Sequence, residues 1–211
     1  MLKITNLTVS YASQQVLANF NLEVKSGSFL GILGKNGAGK TTLFNSIYQN
    51  IKYHGSITFN RELLSKYEVA YLESENYFYP YITGAEYLNY FTSANPEKFD
   101  LLITQFDIPL DKYVQDYSSG MKKKLALIGM LLLDYPINIL DEPFNGVDFE
   151  GVNFLYDIIK DLKENNKIVI ISSHIIETLF HTCDKIAILK DGNIQKIYDK
   201  SDFKLLENFS F

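Results

Sequence analysis

The sequence predicts an α/β protein with a mostly parallel sheet at its core, an antiparallel β part at its N-terminus and a helical segment inserted in its middle. Three observations carry that prediction. Short apolar runs alternate with helical patterns through the second half, the middle shows helical periodicity without intervening strands, and the N-terminal stretch alternates apolar with polar side chains.

In chain order, strands are expected at 2–9 and 19–25, followed by the short apolar strand Phe29–Leu33 and a helix from Lys40 to about Gln49. SITFN (56–60) and VAYL (69–72) read as further strands. From Thr83 to about Phe106 the spacing is helical, with a break at Asn95-Pro96, because a residue before proline is pushed out of helical geometry. Another helix follows Ser118. INILD (137–141), a helix near 149–164, KIVIIS (167–172), a helix near 175–182 and KIAILK (185–190) then alternate as parallel crossover units do. One domain is expected over 1–211, with a catalytic core from 1–74 and 134–198, a helical subdomain from about 75 to 133 and a short tail at 199–211.

At 46% hydrophobic over 211 residues, the chain can bury a substantial core. A net charge of −5 supplies no basic field for nucleic acid, so no nucleic-acid partner is expected. The single cysteine, Cys183, precludes an intrachain disulfide and reads as a small buried hydrophobe. No run approaches the roughly 18 apolar residues of a membrane span, Leu125–Leu133 being too short. The opening MLKITNLTVSY alternates as a strand rather than building a signal peptide, and the chain is expected to stay in the cytoplasm.

The strongest chemical signal is GKNGAGKTT, comprising Gly34, Lys35, Asn36, Gly37, Ala38, Gly39, Lys40, Thr41 and Thr42. It fits G-x-x-x-x-G-K-[ST] and lies between a predicted strand and helix, where backbone N–H groups and the positive end of the helix converge on phosphate oxygens. Lys40 is expected to reach the β- and γ-phosphates, and Thr41 to offer its hydroxyl to Mg²⁺. INILDEP ends an apolar strand in two acids, at the sheet edge where ligands of open α/β folds bind. Asp141 is expected to hold Mg²⁺ and Glu142 to act as general base on the attacking water. His174, after KIVIISS, emerges at the same edge and could contact the γ-phosphate; His54 and His181 lack such a context. YSSGMKKK places Ser118, Ser119 and Gly120 at a helix N-terminus, either as a plain cap or as an anion site, and Lys122–Lys124 reads as a solvated face.

P-loop, acidic strand end, YSSGM helix and SSH segment, in this order over nearly the whole chain, resemble the ATP-binding subunit of an ABC transporter. The resemblance implies an ATPase that closes as a head-to-tail dimer with a second ATP-binding subunit. Each ATP then lies between one subunit's P-loop and the other's signature residues Ser118, Ser119 and Gly120. YSSGM departs from the family's LSGGQ at Ser119 and Met121. Tyr11 matches the aromatic that stacks on adenine, or is an ordinary strand aromatic. Asp148, in NGVD, matches the residue that couples the two ATP sites. Where the family has a Gln near Mg²⁺ this chain has Ser74, so the contact runs through Ser74 and water or through Glu73 or Glu75.

The rings of NYFYPY lie where the family's groove receives a permease. Tyr77, Tyr79 and Tyr81 are expected either to meet that partner or to pack the helical subdomain, with some rings in each class. The implied function is to power a separate membrane permease from the inner face of the cell membrane, efflux being favoured by the mere 19 residues after Gly192. The alternative is a soluble ABC-type ATPase acting on a non-transporting partner. A P-loop kinase or GTPase leaves YSSGM and SSH unexplained.

Overall fold

Apolar and polar alternation at the N-terminus folds into β1 (Leu2–Tyr11) and β2 (Gln14–Val24), which pair antiparallel. The structure, a computed structural model, describes residues 1–91, 96–147 and 149–207. With β4 (His54–Phe59) and β5 (Glu62–Leu63) these strands make a four-stranded antiparallel sheet in the order β2-β1-β4-β5 among the described residues. β3 (Phe29–Leu33), β6 (Val69–Leu72), β7 (Ile137–Leu140), β8 (Ile168–Ser173), β9 (Lys185–Lys190) and β10 (Asn193–Asp199) build a second sheet. Its order is β10-β9-β3-β8-β7-β6, parallel throughout except that β10 is antiparallel to β9.

The helices follow the predicted pattern: α1 (Lys40–Ile47), α2 (Gly84–Asn89), α3 (Pro96–Phe106), α4 (Ser119–Leu132), α5 (Phe149–Glu164) and α6 (Ile176–Thr182). α2 starts on a capping box, in which the Thr83 N–H donates to Glu86 Oε2 at 2.8 Å and the Glu86 N–H donates to Thr83 Oγ1 at 3.2 Å. α5 buries Leu155, Ile158, Ile159 and Leu162, the repeat that keeps one helical face inward.

The parallel strands are covered on both faces, so they are mostly apolar rather than alternating. Phe29 and Leu33 of β3 enter one core with α3 to α6, while Leu30 and Ile32 enter a second core between the two sheets and around α1. The inserted helices belong to the first core. Leu102, Phe106 and Leu125 share it with Phe29, and the Phe106 ring lies 4.0 Å, centroid to centroid, from Phe154 of α5. Cys183 is fully buried there, and burial pushes its thiol pKa up to about 12. Among the described residues no helix is long and apolar enough to cross a membrane.

Several boundaries differ from expectation. β1 and β2 are longer because a tight turn through Ala12, at φ 50°, lets Tyr11 pair with Gln14. α1 stops at Ile47, two residues early. β10 was not expected: much of it is exposed, and pairing with β9 rather than an apolar pattern holds it. The segment expected as a tail from 199 continues through residue 206 as a 3₁₀ helix, anchored by buried Phe203 and Leu206.

Topology sets the site. β3 lies beside β8, and β8 beside β7, so the turns that leave their carboxyl ends meet at one edge although they are far apart in sequence.

Candidate active site

The turn from β3 to α1 is the P-loop. Gly37 and Gly39 sit at φ 85° and 106°, left-handed values that a side chain would strain, and Gly39 caps α1. Lys40, the first helical residue, is buried. Its ammonium donates to the Gly34 carbonyl at 2.6 Å and the Lys35 carbonyl at 3.4 Å, and lies 3.2 Å from Glu142 Oε1. From the next residue, the Thr41 hydroxyl donates to Asp141 Oδ2 at 2.8 Å.

Asp141 collects three hydroxyls. Besides Thr41, the Tyr71 hydroxyl donates to Oδ2 at 3.4 Å, and the Ser172 hydroxyl donates to Oδ1 at 2.5 Å. Burial first, then the charges of Asp141 and Glu73, hold the Tyr71 phenol protonated far above its usual range. Glu142 adopts φ 49°, uncommon for a residue with a side chain. Its N–H donates to Ser172 Oγ at 2.8 Å, and its Oε2 lies 2.9 Å from His174 Nδ1. Oε1 is buried and makes no hydrogen bond, although the Lys40 ammonium is near. An acceptor left in this state can take a proton or a polar ligand.

Gly37, Gly39, Lys40, Thr41, Asp141, Glu142 and His174 border a cleft of about 580 Å³ that also has Lys35, Asn36, Thr42, Ser74, Glu75 and Asn145 on its walls, while Gly34, Tyr71 and Ser172 lie behind it. The cleft thus unites the predicted P-loop, both acids, His174 and Ser74, and of the neighbouring acids it takes Glu75. Ala38 instead packs into the core between the sheets. Tyr11 is half-exposed at the end of β1 and does not line the cleft, whereas Val16 of β2 does. Ser118, Ser119 and Gly120 lie outside it. The Ser118 side chain accepts the Met121 N–H at 3.2 Å and so caps α4, while Ser119 is exposed. Asp148 lies outside the described residues.

The oxygen donors at the cleft floor suit Mg²⁺. Thr41 and Asp141 offer a hydroxyl and a carboxylate 2.8 Å apart, a sparse set appropriate to an ion that completes its shell with phosphate and water.

The ring cluster at 77–81 divides. Tyr77, Tyr79 and Tyr81 are 74%, 70% and 74% exposed, while Phe78 is half-buried with its ring 4.9 Å from that of Tyr87.

Three functional-site residues escaped the sequence reading. Tyr71 and Ser172 are hydroxyls near the carboxyl ends of mostly apolar strands. Lys123 corrects the expectation that Lys122–Lys124 forms a solvated face, because it is only 9% exposed and donates to the Glu142 carbonyl at 3.1 Å and the Asn145 carbonyl at 3.0 Å. Burial lowers its pKa, with Glu142 and Asp141 opposing that shift.

The family model described as ABC transporter matches residues 17–145, which take in the P-loop, the YSSGM helix and both acids. The chain belongs to the ABC transporter family. It is an ATP-binding subunit and an ATPase of that family. An uncharacterized ABC transporter ATP-binding protein of Methanocaldococcus jannaschii is 32% identical over 201 residues, spanning 90% of this chain and 74% of that one. The lantibiotic transport ATP-binding protein SrtF of Streptococcus pyogenes is 31% identical over 213 residues, spanning 96% and 93%. A solved structure described as the ATP binding subunit of an ABC transporter superimposes with a TM-score of 0.90 at 25% identity, over 100% of this chain and 95% of the other. The dimeric ATP-binding cassette MJ0796 bound to ADP and phosphate has the same fold, with a TM-score of 0.84 at 20% identity over 95% and 99% of the two chains.

Proposed function

We propose that this ABC transporter subunit hydrolyses Mg²⁺-ATP at the edge formed by β3, β7 and β8, and that it drives a separate membrane permease from the cytoplasmic face of the membrane. The observation that carries the reading is the convergence of Lys40, Thr41, Asp141, Glu142 and His174 on one cleft. Gly34 to Thr42 would cradle the phosphates with backbone N–H groups, and Lys40 would neutralise the β- and γ-phosphates. Thr41 and Asp141, aided by Ser74 or Glu75, would hold Mg²⁺, which supplies charge neutralisation to the transferring phosphoryl group. Glu142 would take the proton of the attacking water once nucleotide draws Lys40 away from its Oε1, and His174 would steady its other oxygen and sense the γ-phosphate. Tyr11 would stack on adenine.

A head-to-tail dimer, with a second copy or a similar chain, supplies the remaining face. Ser118, Ser119 and Gly120 stand outside their own cleft and would meet the partner's ATP, with Asp148 coupling the two sites. Tyr77, Tyr79 and Tyr81 would face the permease, since amphipathic rings suit a surface that is covered by a partner yet wet at its rim. For direction we propose efflux; a similar chain is named for lantibiotic transport, a name that fits transport in either direction. The units of function follow the same division: 1–74 and 134–198 catalyse, about 75–133 carries the signature, and 199–211 follows.

Co-purification from detergent-solubilised membranes tests the reading. Recovery of a multi-span membrane protein with the tagged chain is expected, and recovery of only a non-membrane partner would favour a mechanical or regulatory ATPase instead.

A further inference from the structure

Both peptide groups that flank the Glu142 side chain are held by buried side chains that touch no part of the cleft themselves. On one side the Glu142 N–H donates to Ser172 Oγ at 2.8 Å, and Ser172 gives its own proton to Asp141 Oδ1. On the other, the Glu142 carbonyl accepts from the Lys123 ammonium, which also binds the Asn145 carbonyl. Between them the backbone of Glu142 is left-handed, at φ 49°. That conformation is disfavoured for a glutamate and persists only where its surroundings over-determine it.

Lys123 is one turn into α4, whose first residues are Ser119 and Gly120. Its neighbours go elsewhere: Lys122 donates to the Gln115 carbonyl at 3.3 Å, and Lys124 lies 5.9 Å over the Phe154 ring. A buried ammonium is costly unless hydrogen-bonded, and an unbranched apolar side chain of similar length could fill the same space without that cost.

We propose that Lys123 and Ser172 are positioning residues for ATP hydrolysis. They clamp the main chain on either side of Glu142 and so aim its carboxylate, and Lys123 transmits the position of the signature helix to the general base of its own subunit. The proposal rests on the reading of Glu142 as general base. Contact of the partner's nucleotide with the N-terminus of α4 would then bear on hydrolysis in the opposite cleft of the same chain, through a single side chain.

The test uses the purified full chain with Lys123→Met, Lys123→Arg and Ser172→Ala, each alone and combined with Glu142→Gln. Lys123→Met is expected to lower kcat about 10- to 100-fold while KM for Mg²⁺-ATP changes less than about threefold, the pattern of a misplaced catalytic group. Lys123→Arg should restore part of kcat. In the Glu142→Gln background neither clamp substitution should lower the residual rate further by more than about threefold, because residues that act as one unit are not additive. Wild-type kcat in Lys123→Met, or losses that multiply with Glu142→Gln, overturns the clamp. Should Lys123→Met fail to fold, Ser172→Ala carries the same expectation and the same refutation. Wild-type hydrolysis by Glu142→Gln alone would instead remove the general base, and the clamp with it.

Discussion

Replacing Glu142 with Gln should change three quantities in different directions, because the carboxylate is both the proposed base and the counter-ion of Lys40. The pair is 3.2 Å apart, with side-chain exposures of 6% and 11%, which at an effective dielectric near 20 corresponds to roughly 5 kcal/mol of Coulomb attraction. Desolvation offsets much of that, and the orphaned ammonium keeps its bonds to the Gly34 and Lys35 carbonyls. The nucleotide-free variant should therefore lose only about 1–3 kcal/mol, and its Tm should fall by roughly 2–12 °C for a chain of this size. Affinity for Mg²⁺-ATP should rise, since Lys40 no longer leaves a carboxylate to meet the phosphates and one like charge is gone from the cleft. Hydrolysis should fall about 10²- to 10⁴-fold, the usual contribution of a general base. Differential scanning calorimetry with and without Mg²⁺-ATP, equilibrium nucleotide binding and a phosphate-release assay read the three quantities. An unchanged Tm without nucleotide together with weaker ATP binding would refute the idea that Lys40 and Glu142 neutralise each other until nucleotide arrives.

Asp141→Asn should raise the Mg²⁺ concentration that half-saturates ATPase activity roughly tenfold or more, with ATP binding in chelator little changed, because the proposed metal contact loses its charge while the P-loop groups that would bind phosphate stay in place. Tyr79→Ala with Tyr81→Ala should leave the Tm of the isolated subunit within about 2 °C, since both rings are exposed, while abolishing stimulation of ATPase by the reconstituted permease; unfolding of the subunit would return the rings to a packing role. Burial pushes the Asp134 carboxyl pKa up, but Lys98 at 2.8 Å and Lys167 at 3.2 Å outweigh it and hold the group below its usual range. A depressed folded-state pKa contributes stability above the unfolded value and loses it as pH falls through the folded one. Asp134→Asn should thus lower stability near pH 7 by at most about 1 kcal/mol, the carboxylate being 56% exposed, and the difference should vanish as pH falls through the lowered folded-state pKa in denaturant titrations.

The edge that gathers the cleft residues was legible because each part follows an apolar strand and parallel crossovers send these strand ends the same way. GKNGAGKTT, Asp141-Glu142 and His174 could be assigned to one edge from local pattern alone. What holds them was not legible. Three successive lysines look like a wet surface, yet successive residues of a helix turn by about 100°, so on a helix as buried as α4 one of the three must face inward. Tyr71 and Ser172 occupy strands whose apolar pattern conceals that one strand end differs in chemistry. Their partner, Asp141, becomes adjacent only through the β6-β7-β8 order. β10 and the 3₁₀ helix after it carry too few apolar residues to announce themselves, and backbone pairing together with Phe203 and Leu206 does the anchoring.

Cys183 is the one thiol in the chain, and it is sealed beneath α6 in a setting that keeps it protonated. A thiol reagent can therefore reach it only when that region opens, which makes alkylation a clock for the rarest excursions of the fold. If nucleotide binds the closed form alone, the clock slows in proportion to one plus the ratio of free nucleotide to its dissociation constant. Occupancy of the cleft thereby becomes measurable at the far side of the sheet, without turnover, a partner chain or any added label site.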